Sequence, residues 1–532
     1  MSALGSSLAS THALAPNWSL AELLAGFAVL PFDSGPRVTA LTLDSRQATA
    51  GSLFLACRGR ARHGLSYAEQ AAERGSVAIA AEPDADWGQA ELGRLASELA
   101  LPVIPVANLG KRAAEIAARF FGHPSEALEV FGVTGTTGKT CVTHYLAQAL
   151  CAEDLTRGLA YALNDVASAE GRAPTLAQSS VRGPRPIANL RDAVTLHREL
   201  AALRGHGARA VAMEVSSQAL DQRRVGAVRF SHAVFTNLSR DHLDGRSNMG
   251  AYAAATRRLF RMPSLRWAVL NADDPASADM AAAVQPDVRI ARFGMGAAAP
   301  VDGADLWVWA TEVRPTNAGL AVQVETSAGN GAFTSGLIGC AQVSHLLAVL
   351  AVLLSRDEPL EAALASLGAI RSLAGRLERF GGGARPLVVV DDAHTPAALE
   401  QALTELRAHC AGRLTLVFGC DGGRDPGERP AMGAVAERLA DSVILTEDNP
   451  RFEDGEQIVA QTLAGMKRPE ATLVERQRAL AIRAALARAG RDDAVLVAGK
   501  GGETLQDLGA LKVQFSDRAQ VVQALNEWEG LK

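Results

Sequence analysis

Short, continuously apolar runs alternate with Ala/Leu-rich stretches through almost the whole of this chain. That rhythm limits its fold more than any other feature. The runs are "SLFLAC" 52–57, "VAIAA" 77–81, "PVIPV" 102–106, "AVAMEV" 210–215, "AVFTNL" 233–238, "WAVLNAD" 267–273, "LVVVDDA" 387–393, "LTLVFGC" 414–420, "SVILTEDN" 442–449 and "AVLVAGKG" 494–501. A strand with one wet face alternates apolar and polar residues, whereas a strand that is apolar throughout is covered on both faces. With helical stretches between the runs, the pattern predicts α/β domains, each built on a mostly parallel sheet with helices layered against it.

Residues 306–326 break the rhythm. There "LWVWATEV" and "GLAVQVET" flank "PTNAG", the pattern of an antiparallel hairpin. The Gly/Pro/Arg-rich segment 157–188 reads as a mobile loop, and "ERFGGGARP" 378–386 as the entry to a third domain. Boundaries near 107 and 371 divide the 532 residues into domains 1–107, 108–370 and 371–532. At 48% hydrophobic and 21% charged residues, each can bury a core. A net charge of −5 gives no support for a nucleic-acid or membrane-surface partner. The longest apolar run, Leu346 to Leu354, is too short to span a bilayer. The six cysteines form no Cys-x-x-Cys pair, which suits a reducing compartment better than a disulfide framework or a zinc site. The start, "MSALGSSLASTHALAPNW", lacks the basic region and apolar run of a signal peptide. A cytoplasmic protein is the expectation.

One segment carries recognisable chemistry. In "VFGVTGTTGKTC" 130–141 a strand is followed by a small-residue loop and then by the helical "CVTHYLAQAL". Small residues let backbone N–H groups approach phosphate oxygens, and the helix presents its positive N-terminus. The spacing departs from Walker A, since Val133 stands where its first glycine belongs. Strand, loop and helix nevertheless come in the required order. Lys139 would reach the β/γ-phosphates and the Thr140 hydroxyl a Mg²⁺. The competing reading is a Gly-rich turn with a surface lysine. Glu214 closes the strand "ARAVAMEV", at the end of a parallel strand where such sheets bind ligands, and could hold Mg²⁺ or simply make a capping contact. A third strand ends in Asn237, Arg240, Asp241, His242 and Asp244, a polar cluster that rarely packs a core and reads as a site or as a capped surface loop.

Nine motifs then occur in a fixed order: "TGTTGKT", "AMEVSSQALDQRRV", "TNLSRDHLDG", "LNADD", "GRLERF", "DDAHTPAALE", "FGCDGGRDPGERPAMG", "TEDNPRFED" and "AGKGGE". Together with "LDSRQATAGSLFLACRG" they resemble the Mur ligases over residues 38–518, and within them the type that adds meso-diaminopimelate to a UDP-N-acetylmuramoyl dipeptide. The resemblance implies three α/β domains: a small uridine-nucleotide domain, a central P-loop ATPase-like parallel sheet and a C-terminal Rossmann-like domain. It implies ATP-dependent amide formation through an acyl phosphate, with Mg²⁺, in a monomer whose domains close over the substrates. Lys139, Glu214 and His242 would be catalytic, and Thr140, Glu214 and His242 would hold the metal. Gly135, Thr136, Thr137, Gly138, Lys139, Thr140, Cys141, Asn271, Asp274, Arg376 and Asp391 would meet the nucleotide. Leu43, Ser45, Ser216, Gln222 and Arg224 would meet the UDP-muramoyl acceptor. Arg424, Asp448, Asn449, Pro450, Arg451, Gly499 and Glu503 would grip the diamino acid: an arginine fork holds its distal carboxylate, while Asp and Glu accept from its distal ammonium.

The chain also departs from that pattern. Thr256 stands where such ligases carry a lysine whose carbamate helps bind a second Mg²⁺. Asn189 and Leu190 replace two threonines that contact the muramoyl substrate. Thr137, Gln342, Asp392 and Gly502 replace the usual Asn, Asn, Tyr and His. The amine side is therefore better kept than the acceptor side. Two other readings stay open: a related ligase with a different acceptor in another pathway, and a nucleotide-binding protein without activity. The retained Lys139, Thr140, Glu214 and His242 speak against the second of these.

Overall fold

The computed structural model describes residues 16–59, 62–153, 160–163, 192–239, 249–295 and 303–528. They group into two compact units, Met1–Leu270 with Asp274–Ile290, and Asn271–Asp273 with Ala291–Lys532.

The first unit contains a sheet of four strands, β1 (Ala40–Thr42), β2 (Ser52–Ala56), β3 (Ser76–Ala81) and β4 (Val103–Pro105), paired in that order and all parallel. Both faces are covered. Leu53 and Leu55 enter one apolar cluster, while Phe54 and Ala56 enter the other. This double burial is why the runs lack polar alternation.

A second parallel sheet follows. β5 (Glu129–Thr134) leads into helix α1 (Lys139–Glu153), then come β6 (Ala160–Leu163), β7 (Ala210–Glu214), helix α2 (Ser217–Asp221), β8 (His232–Phe235), helix α3 (Met249–Thr256) and β9 (Trp267–Asn271). The strand order is β6-β7-β5-β8-β9. The chain leaves β5 toward one edge of the sheet and leaves β8 toward the other. The carboxyl ends of β5 and β8 therefore form a topological switch point, where open α/β sheets bind ligands. The segment read as a mobile loop needs correction at 160–163, which form β6 beside β7 because the apolar "AYAL" extends a parallel ladder. Residues 157–159 and 164–188 of that segment lie outside the described residues.

The chain continues with β10 (Arg289–Gly294), β11 (Leu306–Thr316), β12 (Gly319–Thr326) and β13 (Gly329–Ser335), the last three in the second unit. The expected hairpin is present as β11 and β12, and it extends to a third antiparallel strand through β13. "GNGAFTS" lacks the apolar alternation that would have marked it, since only Phe333 and Ser335 are buried. Helices α4 (Ala341–Ser355) and α5 (Leu360–Ala369) follow. The last sheet contains β14 (Glu378–Gly381), β15 (Leu387–Asp391), β16 (Leu414–Phe418), β17 (Ser442–Leu445), β18 (Leu473–Val474) and β19 (Ala494–Ala498), in the order β14-β15-β19-β16-β17-β18. Only β14 runs antiparallel to its neighbour. Helix α6 (Pro396–Arg407) begins with Pro396 under a Thr395 cap, whose Oγ1 accepts from Ala398 N at 3.3 Å. That cap ends the loop after β15, which begins at Asp392 directly behind the strand's last residue, Asp391.

Candidate active site

After β5 the chain turns at Gly135 (φ +136°) and Gly138 (φ +80°), conformations that only glycine adopts without strain. A Cβ on Gly135 would also stand 2.1 Å from Thr236 Oγ1. The loop is clasped from the end of β8. Thr136 N donates to Asn237 O at 2.8 Å, and Thr137 N and Oγ1 donate to Asn237 Oδ1 at 2.9 and 3.1 Å. Thr236 Oγ1 donates to Thr137 O at 2.7 Å, and Ser239 N to Thr136 Oγ1 at 2.9 Å. Tyr252, on α3, donates its hydroxyl to Gly135 O at 3.2 Å. The loop is thus held by its neighbours in a fixed shape at the N-terminus of α1, a site suited to a polyphosphate. Lys139 Nζ lies over it and donates to Gly135 O and Thr136 O, both at 2.8 Å. Thr140 follows in the first turn of α1, and Cys141 is half-buried beside it.

Glu214 pairs with Val133 across the β5–β7 ladder and is 1% exposed. A carboxylate so placed beside the phosphate loop fits a divalent cation, since buried charge needs a counter-charge. Among the described residues no three His, Cys, Asp or Glu side chains group as a metal site. His242 lies outside the described residues, as do Arg240, Asp241 and Asp244. Asp274 ties the end of β8 to its own turn, with Oδ2 accepting from Leu238 N and Oδ1 from Ala276 N, each at 2.8 Å. Asn271, in the second unit, is buried and accepts from Asp273 N at 3.1 Å.

The second unit contains a cavity of about 300 Å³ at the carboxyl ends of β15, β19, β16 and β17. Its wall is mostly polar. Arg376, Asp392, Asp421, Arg424, Asp448, Asn449, Gly499, Lys500 and Glu503 line it. Arg376 pairs with Asp392, and Asp391 anchors the loop by accepting from Leu377 N at 2.7 Å and Ala393 N at 3.0 Å. Burial pushes both aspartates above the ordinary carboxylate range. Lys500 is 1% exposed and donates to Asn449 Oδ1 and Glu503 Oε2, both at 2.8 Å, with Asp448 Oδ1 at 3.7 Å. Asn449 in turn donates to Glu503 Oε2 at 3.0 Å. Gly499 (φ +116°) lets the backbone pass the Asp448 carboxylate, which a Cβ would meet at 2.2 Å. Asp448 is 3% exposed, and burial pushes its pKa up to about 7, with the nearby Asp421 charge adding to the rise and Arg478 and Lys500 opposing it. Arg424 Nε and Arg451 Nη2 both meet Asp421 Oδ2 at 3.2 Å. Arg451 holds a left-handed backbone (φ +55°), fixed by its N–H bond to Asp507 O at 3.0 Å. Guanidinium forks, carboxylates and one ammonium in a single cavity suit a small zwitterion with more than one charged end.

Protein-family models and known proteins match most of this chain. The Mur ligase middle domain matches residues 133–353, the Mur ligase glutamate ligase domain 375–501, and the Mur ligase family catalytic domain 37–121. The UDP-N-acetylmuramoyl-L-alanyl-D-glutamate–2,6-diaminopimelate ligase of Alkalilimnicola ehrlichii is 43% identical over 496 residues, covering 93% of this chain and 96% of that protein. The chain belongs to the Mur ligase family. The ligase of the same name from Pseudomonas aeruginosa is 41% identical, covering 92% of this chain and 95% of its own. A solved structure of a ligase of that name superposes with a TM-score of 0.74 at 28% identity, covering 97% of this chain and 100% of the other. The three-domain α/β architecture and parallel central sheet expected from the sequence are those of Mur ligases.

The residues expected on the acceptor side of this Mur ligase are more scattered. Ser45 is buried and donates to Gln70 Oε1 at 2.6 Å, with Leu43 half-buried two residues earlier. Ser216 caps α2, accepting from Ala219 N at 3.1 Å. Arg224 Nε donates to Gln222 Oε1 at 2.8 Å. Asn189 and Leu190 lie outside the described residues. On the amine side, all the expected residues but Pro450 and Arg451 line one cavity, and Arg451 reaches it through Asp421. Two residues were missed. Lys500 stood in the quoted "AGKGGE", and a lysine directly after a buried strand was the available signal. Asp421 had none, because its role depends on arginines 3 and 30 positions away.

Proposed function

We propose that this Mur ligase uses ATP and Mg²⁺ to join meso-diaminopimelate to the free carboxylate of UDP-N-acetylmuramoyl-L-alanyl-D-glutamate, as a cytoplasmic monomer. The observation that carries the reading is the polar cavity of the second unit, which offers both arginine forks and ammonium acceptors in a chain 41–43% identical to ligases named for that amino acid. The three domains would divide near residues 107 and 371.

The reaction activates a carboxylate as an acyl phosphate and then lets an amine displace phosphate. It needs positioning and charge neutralisation more than covalent help. The loop 135–138 and the N-terminus of α1 would cradle the polyphosphate. Lys139 Nζ would exchange its bonds to Gly135 O and Thr136 O for phosphate oxygens, neutralising charge that grows during transfer. Thr140, Glu214 and His242 would hold Mg²⁺, which supplies further charge neutralisation when bound. Asn271, Asp274, Arg376 and Asp391 are proposed on the nucleotide side, and Leu43, Ser45, Ser216, Gln222 and Arg224 on the acceptor side.

Phosphate release with panels of acceptors and amino acids tests this reading. Release should require ATP, the muramoyl dipeptide and diaminopimelate together. Lys139→Ala should lower kcat by about 10²–10³-fold, the cost of losing one preorganised charge partner. Wild-type-like turnover of that variant would remove the phosphate-loop assignment. A preference for lysine, or for no diamino acid, would remove the diaminopimelate assignment. Release with a different carboxylate acceptor would instead move the enzyme to another pathway.

A further inference from the structure

We propose that Asp421 sets which amino acid the cavity takes. Its Oδ2 clips Arg424 and Arg451 into one carboxylate-binding fork, while its Oδ1, together with Asp448 Oδ1, receives the side-chain ammonium of a diamino acid. The proposal rests on the reading of the cavity as the amine site.

Asp421 is 9% exposed, lines the cavity and is held firmly from several sides. Its carbonyl accepts from Arg429 Nη2 at 3.2 Å, and the next residue, Gly422, donates its N–H to Asn449 O at 2.8 Å. Gly422 packs so tightly there that a Cβ would stand 2.0 Å from Pro450 O. The segment carrying Asp421 and the segment carrying Asp448 and Arg451 are therefore locked together. Asp421 Oδ2 is satisfied by the two guanidinium groups at 3.2 Å.

Asp421 Oδ1 is a different case. It is buried away from solvent and has no hydrogen-bond partner among the described residues, and the same holds for Asp448 Oδ1. A buried carboxylate oxygen left without a donor costs free energy that a ligand donor would recover. Two such oxygens, on two residues that line one cavity, call for a group with several N–H donors and a positive charge. An alkylammonium has three donors and no acceptor, so it can serve both. Lys500 Nζ does not fill the role, since it hydrogen-bonds Asn449 and Glu503 and stays 3.7 Å from Asp448 Oδ1.

The consequence is a rank order. A ligand with ammonium and carboxylate on one terminal carbon satisfies both aspartates and both arginines. A ligand with the ammonium alone leaves the arginines bridged by Asp421, which costs little. A ligand with the carboxylate alone adds an anion beside Asp421 and Asp448 and leaves both Oδ1 atoms without donors. Diaminopimelate should therefore lead, lysine follow, and 2-aminopimelate trail far behind.

The test measures KM and kcat for meso-diaminopimelate, L-lysine and L-2-aminopimelate with the full-length wild type, Asp421→Asn and Asp421→Glu. In Asp421→Asn, KM for diaminopimelate should rise by roughly 10–100-fold, the range for a lost charge-assisted bond. KM for 2-aminopimelate should fall or stay level, because an anion has been removed from its path. The change should fall on KM more than on kcat, and Asp421→Glu should recover part of the diaminopimelate preference. Equal increases in KM for both pimelates would mean that Asp421 only maintains cavity shape, and no change would remove it from the site. If melting curves show that Asp421→Asn does not fold, the wild type decides alone. A KM for 2-aminopimelate within about threefold of that for diaminopimelate would then overturn the ammonium reading, since a lost charge-assisted bond costs more. A wild type that prefers lysine overturns the proposed substrate but supports Asp421, with norleucine as the ammonium-free control. A wild type that uses no diamino acid overturns both.

Discussion

Asp448 illustrates how one side chain couples site and stability. Burial holds its pKa at about 7, so between the ordinary carboxylate range near 4 and about 7 the folded state keeps a proton that the unfolded chain has lost. In that window the folded state binds more protons, and the contribution of this group to stability falls as pH rises. Its contribution to ligand binding runs the other way, because only the carboxylate form attracts an ammonium. KM for the diamino acid should therefore drop as pH is raised from about 6 to 8, the interval around that pKa. In Asp448→Asn the same KM should be higher and flatter across the interval. Parallel pH profiles in the two proteins would show that another group governs binding.

Helix α3 shows what a single position does to an element. Thr256, at its last residue, is buried and turns its hydroxyl back to Tyr252 O at 3.0 Å, the local bond that Thr commonly makes inside helices. Tyr252 in turn braces the phosphate loop through Gly135 O. The helix thus supports the loop mechanically, while the carbamate that the resemblance associates with this position cannot form. A cation held by one anionic ligand fewer binds more weakly. The wild type should need high Mg²⁺ and ignore added bicarbonate. Thr256→Lys should lower the Mg²⁺ requirement and make activity bicarbonate-dependent. Mg²⁺ titrations of both proteins with and without bicarbonate check this; a bicarbonate-stimulated wild type would mean that a different lysine carries the carbamate.

On the scale of the molecule, the polar cavity of the second unit depends on a buried ion pair behind it. Arg478 and Asp517 are both 0% exposed and form a bidentate pair at 2.7 and 2.8 Å, joining the helices that begin at positions 478 and 517. Arg478 also donates to Ala498 O at 2.8 Å and Glu447 O at 3.4 Å, the carbonyls just before Gly499 and Asp448. The pair therefore positions two segments of the cavity from behind. Removing one partner of such a buried pair typically costs about 3–5 kcal/mol. Asp517→Ala should lower the urea midpoint accordingly and raise KM for the diamino acid, with smaller change in KM for ATP. A variant of normal stability and normal KM would assign the pair no role.

The strands, the phosphate loop and the family were legible in the chain alone, because each is written in contiguous residues. A doubly buried strand must be apolar throughout, and a loop that wraps phosphate must be small and must precede a helix. The motif "DNPR" was legible as a motif for the same reason, and its residues were proposed from the resemblance as an amine site. Tertiary structure decided how such side chains are held. Asn237 clasps Thr137 from 100 positions away, Lys500 turns inward between Asn449 and Glu503, and Asp421 gathers Arg424 and Arg451. It also decided the third strand of the meander, where "GNGAFTS" pairs through its backbone with little help from its side chains. Local pattern encodes what a segment will be, since propensity and burial act over a few residues. Which charged groups meet depends on contacts between segments far apart in sequence, and no local pattern records them.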